Sequence, residues 1–473
     1  MKSLLLCPFC DTGDIFGNEG VSQTVNKFTV RNTPSQPVIS QSTKLAVRLG
    51  DIIHSRSSKS WIHEIHLKFL VCHIIVKIEL QSAIKHHSCD NHMTTTVLAN
   101  ARVILETSDF IGSIEFDQSG IQRIDEGRSV PSNALDCQGD YVCAGLIELH
   151  TDNLERHLQP RPGVFWNTKA AVTSHDRELA GAGITTVFDA LRVGSVPVDQ
   201  KSTGYRKYAR EAADNILSLG GSGNMKINHY LHLRAETCTE TFADEIADFG
   251  SRDEIGLVSL MDHTPGQRQF RDVEKLREYL RGKHGFSEDK IDQHFAERLK
   301  LQAQFGERHR DVAIEFARSV KAVLVSHDDT TRDDVAASAA AGVKVAEFPT
   351  TIEAADECRQ SGQLIVMGAP NIVRCKSHSG NVAAHDLAKA NLLDILSSDY
   401  IPASLLIGAV KLGQTANSIS KGLQSVTSAP ADAVGLNDRG RLSVGKRADI
   451  VRFRLHDRMP IVGSVFCGGL QVA

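Results

Sequence analysis

Residues 145–152 read Gly145-Leu146-Ile147-Glu148-Leu149-His150-Thr151-Asp152. A short apolar run ends in a histidine, and a carboxylate follows two positions later. Side chains alternate along a strand, so positions i and i+2 share a face. His150 and Asp152 are therefore expected to leave the end of one strand together, as two ligands of one metal ion would. A single His-x-Asp carries little weight, because an isolated histidine is more often packed or solvated than ligating. The weight comes from repetition, since apolar strands ending in His or Asp recur along the chain.

Working outward, eight apolar strand candidates appear: Leu146 to His150, Ile184 to Asp189, His229 to Leu233, Leu257 to Met261, Ala322 to Ser326, Val343 to Phe348, Leu364 to Met367 and Leu393 to Ser397. Helical periodicity fills the gaps, for example over Val335 to Ala341 and Ile352 to Gln360. Eight strand–helix units in about 290 residues predict an α/β fold, a (β/α)8 TIM barrel. A doubly wound open sheet is the alternative. It needs a glycine-rich phosphate loop after its first strand, where this chain has His150-Thr151-Asp152.

On both sides of the barrel text (144–437) the pattern turns to short strands. Thr96 to Val103, Ile111 to Phe116 and Ile121 to Ile124 alternate at hairpin spacing, and Gly440 to Val451 reads the same way. Residues 93–143 and 438–473 are expected to meet in one small β-sandwich domain beside the barrel. Residues 1–92 differ: they are rich in Ser, Thr and His, with dense patches at His63, His66, His73 and at His86, His87, His92. No strand–helix alternation is visible there. They are expected to be an extension upstream of a natural start at Met93, or else a poorly structured tail. The close pair Cys7 and Cys10, even with Cys72 and Cys89, matches no zinc-module spacing.

Bulk properties exclude several classes. The 473 residues carry a formal charge of −4, which argues against a nucleic-acid or membrane-surface protein. No apolar run reaches the roughly 18 residues of a membrane span. The nearest, Phe69 to Leu80, is broken by His73, Lys77 and Glu79. The apolar N-terminus lacks the basic region and cleavage site of a secretory signal. Ten cysteines, mostly scattered, suit a reducing compartment, so a cytoplasmic location is expected.

Barrel enzymes place their chemistry at the C-terminal ends of the strands. Those positions hold His150 and Asp152, then Asp189, then His232, Arg234 and Glu236, then Asp262-His263 and His327-Asp328-Asp329. Glu347, Asn371 and Asp399 complete the set. Several histidines and carboxylates at one end of a barrel suit Zn²⁺ or Mn²⁺, which take mixed imidazole and carboxylate ligands.

This pattern resembles the amidohydrolase superfamily. The His-x-Asp after strand one, the later histidines, the strand-eight Asp399 and the closing Ala448-Asp449-Ile450-Val451 all fit. Within it, the chain is similar to the PhnM-like diphosphatases of the carbon–phosphorus lyase pathway. That similarity rests on HTDNLERHLQPRPGVFW (150–166), GITTVFDAL (183–191), HLRAE (232–236), MDHTPGQRQF (261–270), SHDDTT (326–331), EFPTT (347–351), MGAPNIVR (367–374), SHSGN (377–381) and SSDYIPASLL (397–406). It runs from about residue 95 to the end and touches none of residues 1–92. Two departures from the wider superfamily stand out. Asp152 replaces a second histidine, and no lysine stands at the strand-four end to become a carbamylated bridge. Glu236 is the expected bridging ligand, with Glu178 and Glu347 as alternatives, and His263 is expected as a ligand with His232 as its alternative.

The resemblance implies hydrolysis of α-D-ribose 1-methylphosphonate 5-triphosphate to the 5-phosphate and pyrophosphate. One or two divalent ions, Zn or Mn, would be held by His150, Asp152, Glu236, His263 and His327. A cation lowers the pKa of its water to near neutrality, and Asp399 would orient that water and accept its proton. A triphosphate also needs protein cations. Arg161, Arg234, Arg268, Arg374, Lys376 and, in the same loop, His378 are the candidates. Such barrels commonly form dimers, so a homodimer is one expected assembly. The alternatives are a hydrolase of C–N bonds (a deaminase or deacetylase) and an inactive barrel serving as an assembly subunit. Several arginines near the pocket would not serve the first, and the presence of His150, Asp152, His263, His327 and Asp399 together argues against the second.

Overall fold

The structure, a computed structural model, describes residues 95–161, 163–195, 206–377 and 380–473. The expectations for residues 1–92, including the Cys7/Cys10 pair, lie outside the described residues.

Five strands come first: β1 Thr96–Ile104, β2 Asp109–Asp117, β3 Gly120–Glu126, β4 Leu135–Asp136 and β5 Tyr141–Ala144. The next eight are β6 Leu146–Thr151, β7 Ile184–Val193, β8 Asn228–Glu236, β9 Ile255–Met261, β10 Val323–His327, β11 Val345–Glu347, β12 Leu364–Gly368 and β13 Ile395–Ser397. They pair in chain order and in parallel, with helices between them. This is the expected barrel, and each of the eight candidate segments forms its strand. Parallel strands are buried on both faces, which is why they read as nearly continuous apolar runs. Phe188, Leu257, Val325, Val345, Val366 and Ile395 pack together in the barrel interior. Leu191, Leu231, Leu233 and Val258, at the opposite parity, pack in a separate cluster that includes helix residues such as Ala212 and Ile216.

The barrel closes between β13 and β6 by an unusual seam. At the top, Thr151 bridges Asp399, Asp152 N donates to Asp399 O at 2.8 Å, and Asp399 N donates to His150 O at 3.2 Å. Elsewhere along the seam Ser425 and Val426 intervene, accepting from Leu396 N and Ile147 N. The buried Glu148 carboxyl accepts from the backbone N–H of both His150 and Ser398, so one side chain ties the two strands. Burial pushes its pKa up to about 8.

The chain ends with β14 Ile450–His456, β15 Met459–Cys467 and β16 Leu470–Gln471. Both ends meet as expected, through antiparallel pairing of β5 with β14. Hydrogen bonds link all eight outer strands as one mixed sheet, in the order β16-β15-β14-β5-β1-β2-β3 with β4 on β1. The sheet curls until Phe116 of β2 meets Phe466 of β15, with ring centroids 4.9 Å apart, and encloses a core with Leu98, Val103, Ile114 and Ile450.

Between β9 and β10 lies a helical pair not anticipated from the sequence, Val273–His284 and Glu288–Val320. Asp272 and Ser287 cap the two N-termini, and Gly285, at φ +64°, makes the left-handed turn between them. Leu276, Leu280, Phe286, Ile291 and Phe295 form its core. Among the described residues no helix is long and apolar enough to cross a membrane.

Candidate active site

Strand parity carries the interior face upward into a polar site. Continuing by twos, Tyr230 leads to His232, Arg234 and Glu236, Val325 to His327, Val345 to Glu347, and Ile395 to Ser397 and Asp399. At the strand ends Arg234, Glu236, His327 and Asp399 of this set meet a cavity of about 400 Å³. Of the residues expected from sequence, His150, Asp152, Arg234, Glu236, His263, His327, Asp328, Asn371, Arg374, Lys376 and Asp399 line it.

A buried cluster sits at its base. Glu347, 1 % exposed, reaches His150 Nδ1 at 3.0 Å and His327 Nδ1 at 3.1 Å. One ligand atom from each of these three residues lies within 4.8 Å of the others, and His263, His327 and Asp328 form a second such group. The donor set suits a divalent metal. His150 Nδ1 is buried yet makes no hydrogen bond, because its approach to Glu347 is out of alignment. Burial also holds the pKa of His150 down to about 3 and that of His327 to about 4. Both rings are thus neutral and carry a lone pair, the form a metal needs.

Above this cluster, Asp152 pairs with the buried Arg234. Burial alone would raise the Asp152 pKa, but the guanidinium overrides it and holds the carboxylate ionised. Asp399 is pushed the other way, by burial and then by the charge of Asp152. Two adjacent carboxyls with opposed affinities for a proton are what an acid–base function requires.

Residues 141–471 match the family model described as "Amidohydrolase family". The chain belongs to the amidohydrolase family. The alpha-D-ribose 1-methylphosphonate 5-triphosphate diphosphatase of Escherichia coli (strain K12) is 40% identical over 380 residues, covering 80% of this chain and 100% of that protein. Among solved structures, the N-isopropylammelide isopropylaminohydrolase from Burkholderia multivorans ATCC 17616 superposes with a TM-score of 0.51 at 15% identity. That match covers 80% of this chain and 98% of the other. The N-acetylglucosamine-6-phosphate deacetylase from Pasteurella multocida gives 0.50 at 13%, over 80% and 99%. At such identities these two establish the fold alone.

Within this amidohydrolase several alternatives left by the sequence are separated geometrically. His232 uses both ring nitrogens, towards Leu149 O at 2.8 Å and Ser259 Oγ at 2.9 Å, whereas His263 faces the cavity. Glu347 stands between two histidines, while Glu236 is 2.8 Å from His263 Nδ1. Glu178 belongs to a different cluster, with Arg156 and His157.

Other expected residues go elsewhere. β7 continues to Val193, so Asp189 is mid-strand rather than at the strand end. Its carboxylate turns outward to His175 at 2.8 Å and His229 at 2.7 Å. Arg192, at interior parity on the same strand, is the residue β7 sends to the cavity, beside Glu155 and Glu236. Extending the strand-two alternation past Ala190 would have found it. Arg268 does not line the cavity: its Nη1 donates to Asp329 at 2.7 Å and His327 O at 2.9 Å, bracing the end of β10. Arg161 is exposed and also off the cavity wall, and His378 lies outside the described residues. Asp328, Phe348 and Asp399 have φ of +57°, +56° and +55°. Such left-handed residues cost conformational energy, most for the bulky Phe348, and collect at functional sites.

Proposed function

We propose that this amidohydrolase hydrolyses α-D-ribose 1-methylphosphonate 5-triphosphate to α-D-ribose 1-methylphosphonate 5-phosphate and pyrophosphate. The observation that carries this is the 40% identity to the Escherichia coli diphosphatase along that protein's full length. The site has the parts the reaction needs. One or two divalent ions, zinc or manganese, held by His150, Asp152, His263 and His327 with Glu347 or Glu236 between them, would acidify a water and polarise a phosphoryl oxygen. Asp399, whose burial and neighbour raise its affinity for a proton, would in its ionised form orient the water and accept its proton as the oxygen attacks. The attack falls on the phosphorus nearest the ribose. The new P–O bond forms there as the bond to the oxygen bridging to the next phosphorus breaks, and pyrophosphate departs with that electron pair. Arg374 and Lys376 at the exposed side of the cavity suit a polyanion and have no evident use in cleaving a neutral C–N bond. We assign the chemistry to a barrel domain of residues 144–437, with 93–143 and 438–473 as the composite β domain.

Turnover in heavy-oxygen water, with pyrophosphate detected directly, tests this reading. Label is expected in the ribosyl 5-phosphate. Label in pyrophosphate would move the attack to the middle phosphorus, and absence of pyrophosphate release would remove the proposal.

A further inference from the structure

The cations of the cavity fall into two tiers. Deep in the site, Arg234 is 5 % exposed and paired with Asp152, and Arg192 is 9 % exposed and stands against Glu155 and Glu236. The outer wall is different. Arg298 comes from the long helix Glu288–Val320, Arg374 ends the helix Ala369–Arg374, and Lys376 follows in the next loop. None of the three has an ion-pair or hydrogen-bond partner among the described residues. Elsewhere on the same helical pair the arginines are paired, as Arg277 is with Glu288 and Asp292 and Arg281 with Glu288.

Three cations from separate elements around one void repel each other, and a half-buried guanidinium lacking an anion is poorly solvated. A multiply charged anion relieves both costs, and guanidinium forks match phosphate oxygens in geometry. We propose that Arg298, with Arg374 and Lys376, holds the terminal phosphoryl groups of the substrate. The helical pair is thereby the element that selects a triphosphate over shorter phosphate chains. This rests on the diphosphatase reading above. With the reacting phosphorus at Asp399 near the strand ends, the remaining two phosphoryl groups extend towards this outer tier. Their charge grows as the bond breaks, so cations holding them favour the transition state over the bound substrate. The packed residues Leu276, Leu280, Phe286, Ile291 and Phe295 hold the helical pair that carries Arg298.

Binding of inorganic tripolyphosphate to the full, metal-loaded chain by calorimetry, alongside steady-state kinetics, tests the proposal. Arg298→Ala is expected to weaken tripolyphosphate binding at least about tenfold and lower kcat/KM on the ribosyl triphosphate about 10- to 100-fold, the scale of losing a charge-assisted contact. The ribosyl diphosphate should change by less than about threefold, and Arg298→Lys should restore part of the loss. The paired change Arg374→Ala with Lys376→Ala, at exposed positions that leave folding intact, should act in the same direction. Unaltered tripolyphosphate binding in both variants, or equal losses on both ribosyl substrates, would overturn the assignment. Should the wild type bind tripolyphosphate through Arg298 yet release no pyrophosphate, the cation site stands and the diphosphatase reading falls. Should Arg298→Ala release pyrophosphate as fast as the wild type, the diphosphatase reading stands and the cation site falls.

Discussion

Asp399 is held by three constraints: a left-handed backbone, burial, and the neighbouring negative Asp152. The first costs conformational energy, and the other two raise the cost of keeping it ionised. Asp399→Asn keeps the shape and the seam hydrogen bonds, which use its backbone. It is expected to retain metal and fold but lose turnover by at least about 10²-fold, the usual scale for a general base. Steady-state kinetics with metal analysis of the same preparation checks this. Glu347→Gln should instead lower the metal content itself, whereas Glu236→Gln should spare it. The reverse order would make Glu236 the bridging ligand. Parity and spacing in the sequence placed His150, Asp152, His263, His327 and Asp399 correctly on the cavity. They could not rank Glu236 against Glu347 or His232 against His263. That ranking depends on which ring nitrogens are already engaged, and Ser259 and the Leu149 carbonyl engage those of His232.

At the scale of elements, the seam between β6 and β13 is the least regular part of the barrel. In sequence Glu148 looks like an interruption of an apolar strand. In the fold its carboxyl satisfies the N–H groups of His150 and Ser398 where the regular ladder is missing. Leaving those buried donors unpaired costs roughly 1–3 kcal/mol each. Glu148→Leu is therefore expected to lower Tm by several degrees or more, and to reduce metal affinity through the displaced His150 and Asp399. Glu148→Gln, which keeps one acceptor oxygen, should fall between. Thermal unfolding of the three proteins side by side checks that order. The helical pair 273–320 was illegible for another reason. Nothing local in residues 273–320 says that an excursion between β9 and β10 comes back to the same cavity as the strand ends.

At the scale of the whole molecule, barrel and helix layer are joined by a buried polar network. His175 and Asp176 on the helix Thr168–Gly181 meet Asp189 of β7 and His229 of β8. Burial would depress the His229 pKa, but Asp189 and Asp176, one on each ring nitrogen, override it and raise it from 6.5 to about 9. A raised folded-state value means that the imidazolium contributes stability below the unfolded value near 6.5, and that this is lost as pH rises through about 9. Asp189 is depressed, so its contribution is lost on the acid side. Denaturant midpoints followed from about pH 6 to about pH 10 should fall across that window. His229→Gln should be less stable at neutrality with a flatter profile, and parallel profiles would show that the network titrates no part of the fold.

The chain by itself determines periodicity, and periodicity sufficed for eight strands, the barrel they close and the small sheet shared by both ends. These follow because alternation and burial on both faces are local consequences of parallel strands. Only the tertiary structure decided where β7 stops, and hence that Asp189 belongs to the helix layer and Arg192 to the cavity. It also turned Arg268 away from the cavity wall to brace Asp329, and brought Arg298 to that wall from a helix far along the chain. A charged side chain at a strand or loop end can pair with whatever anion packs beside it, and which neighbour that is depends on contacts between residues distant in sequence.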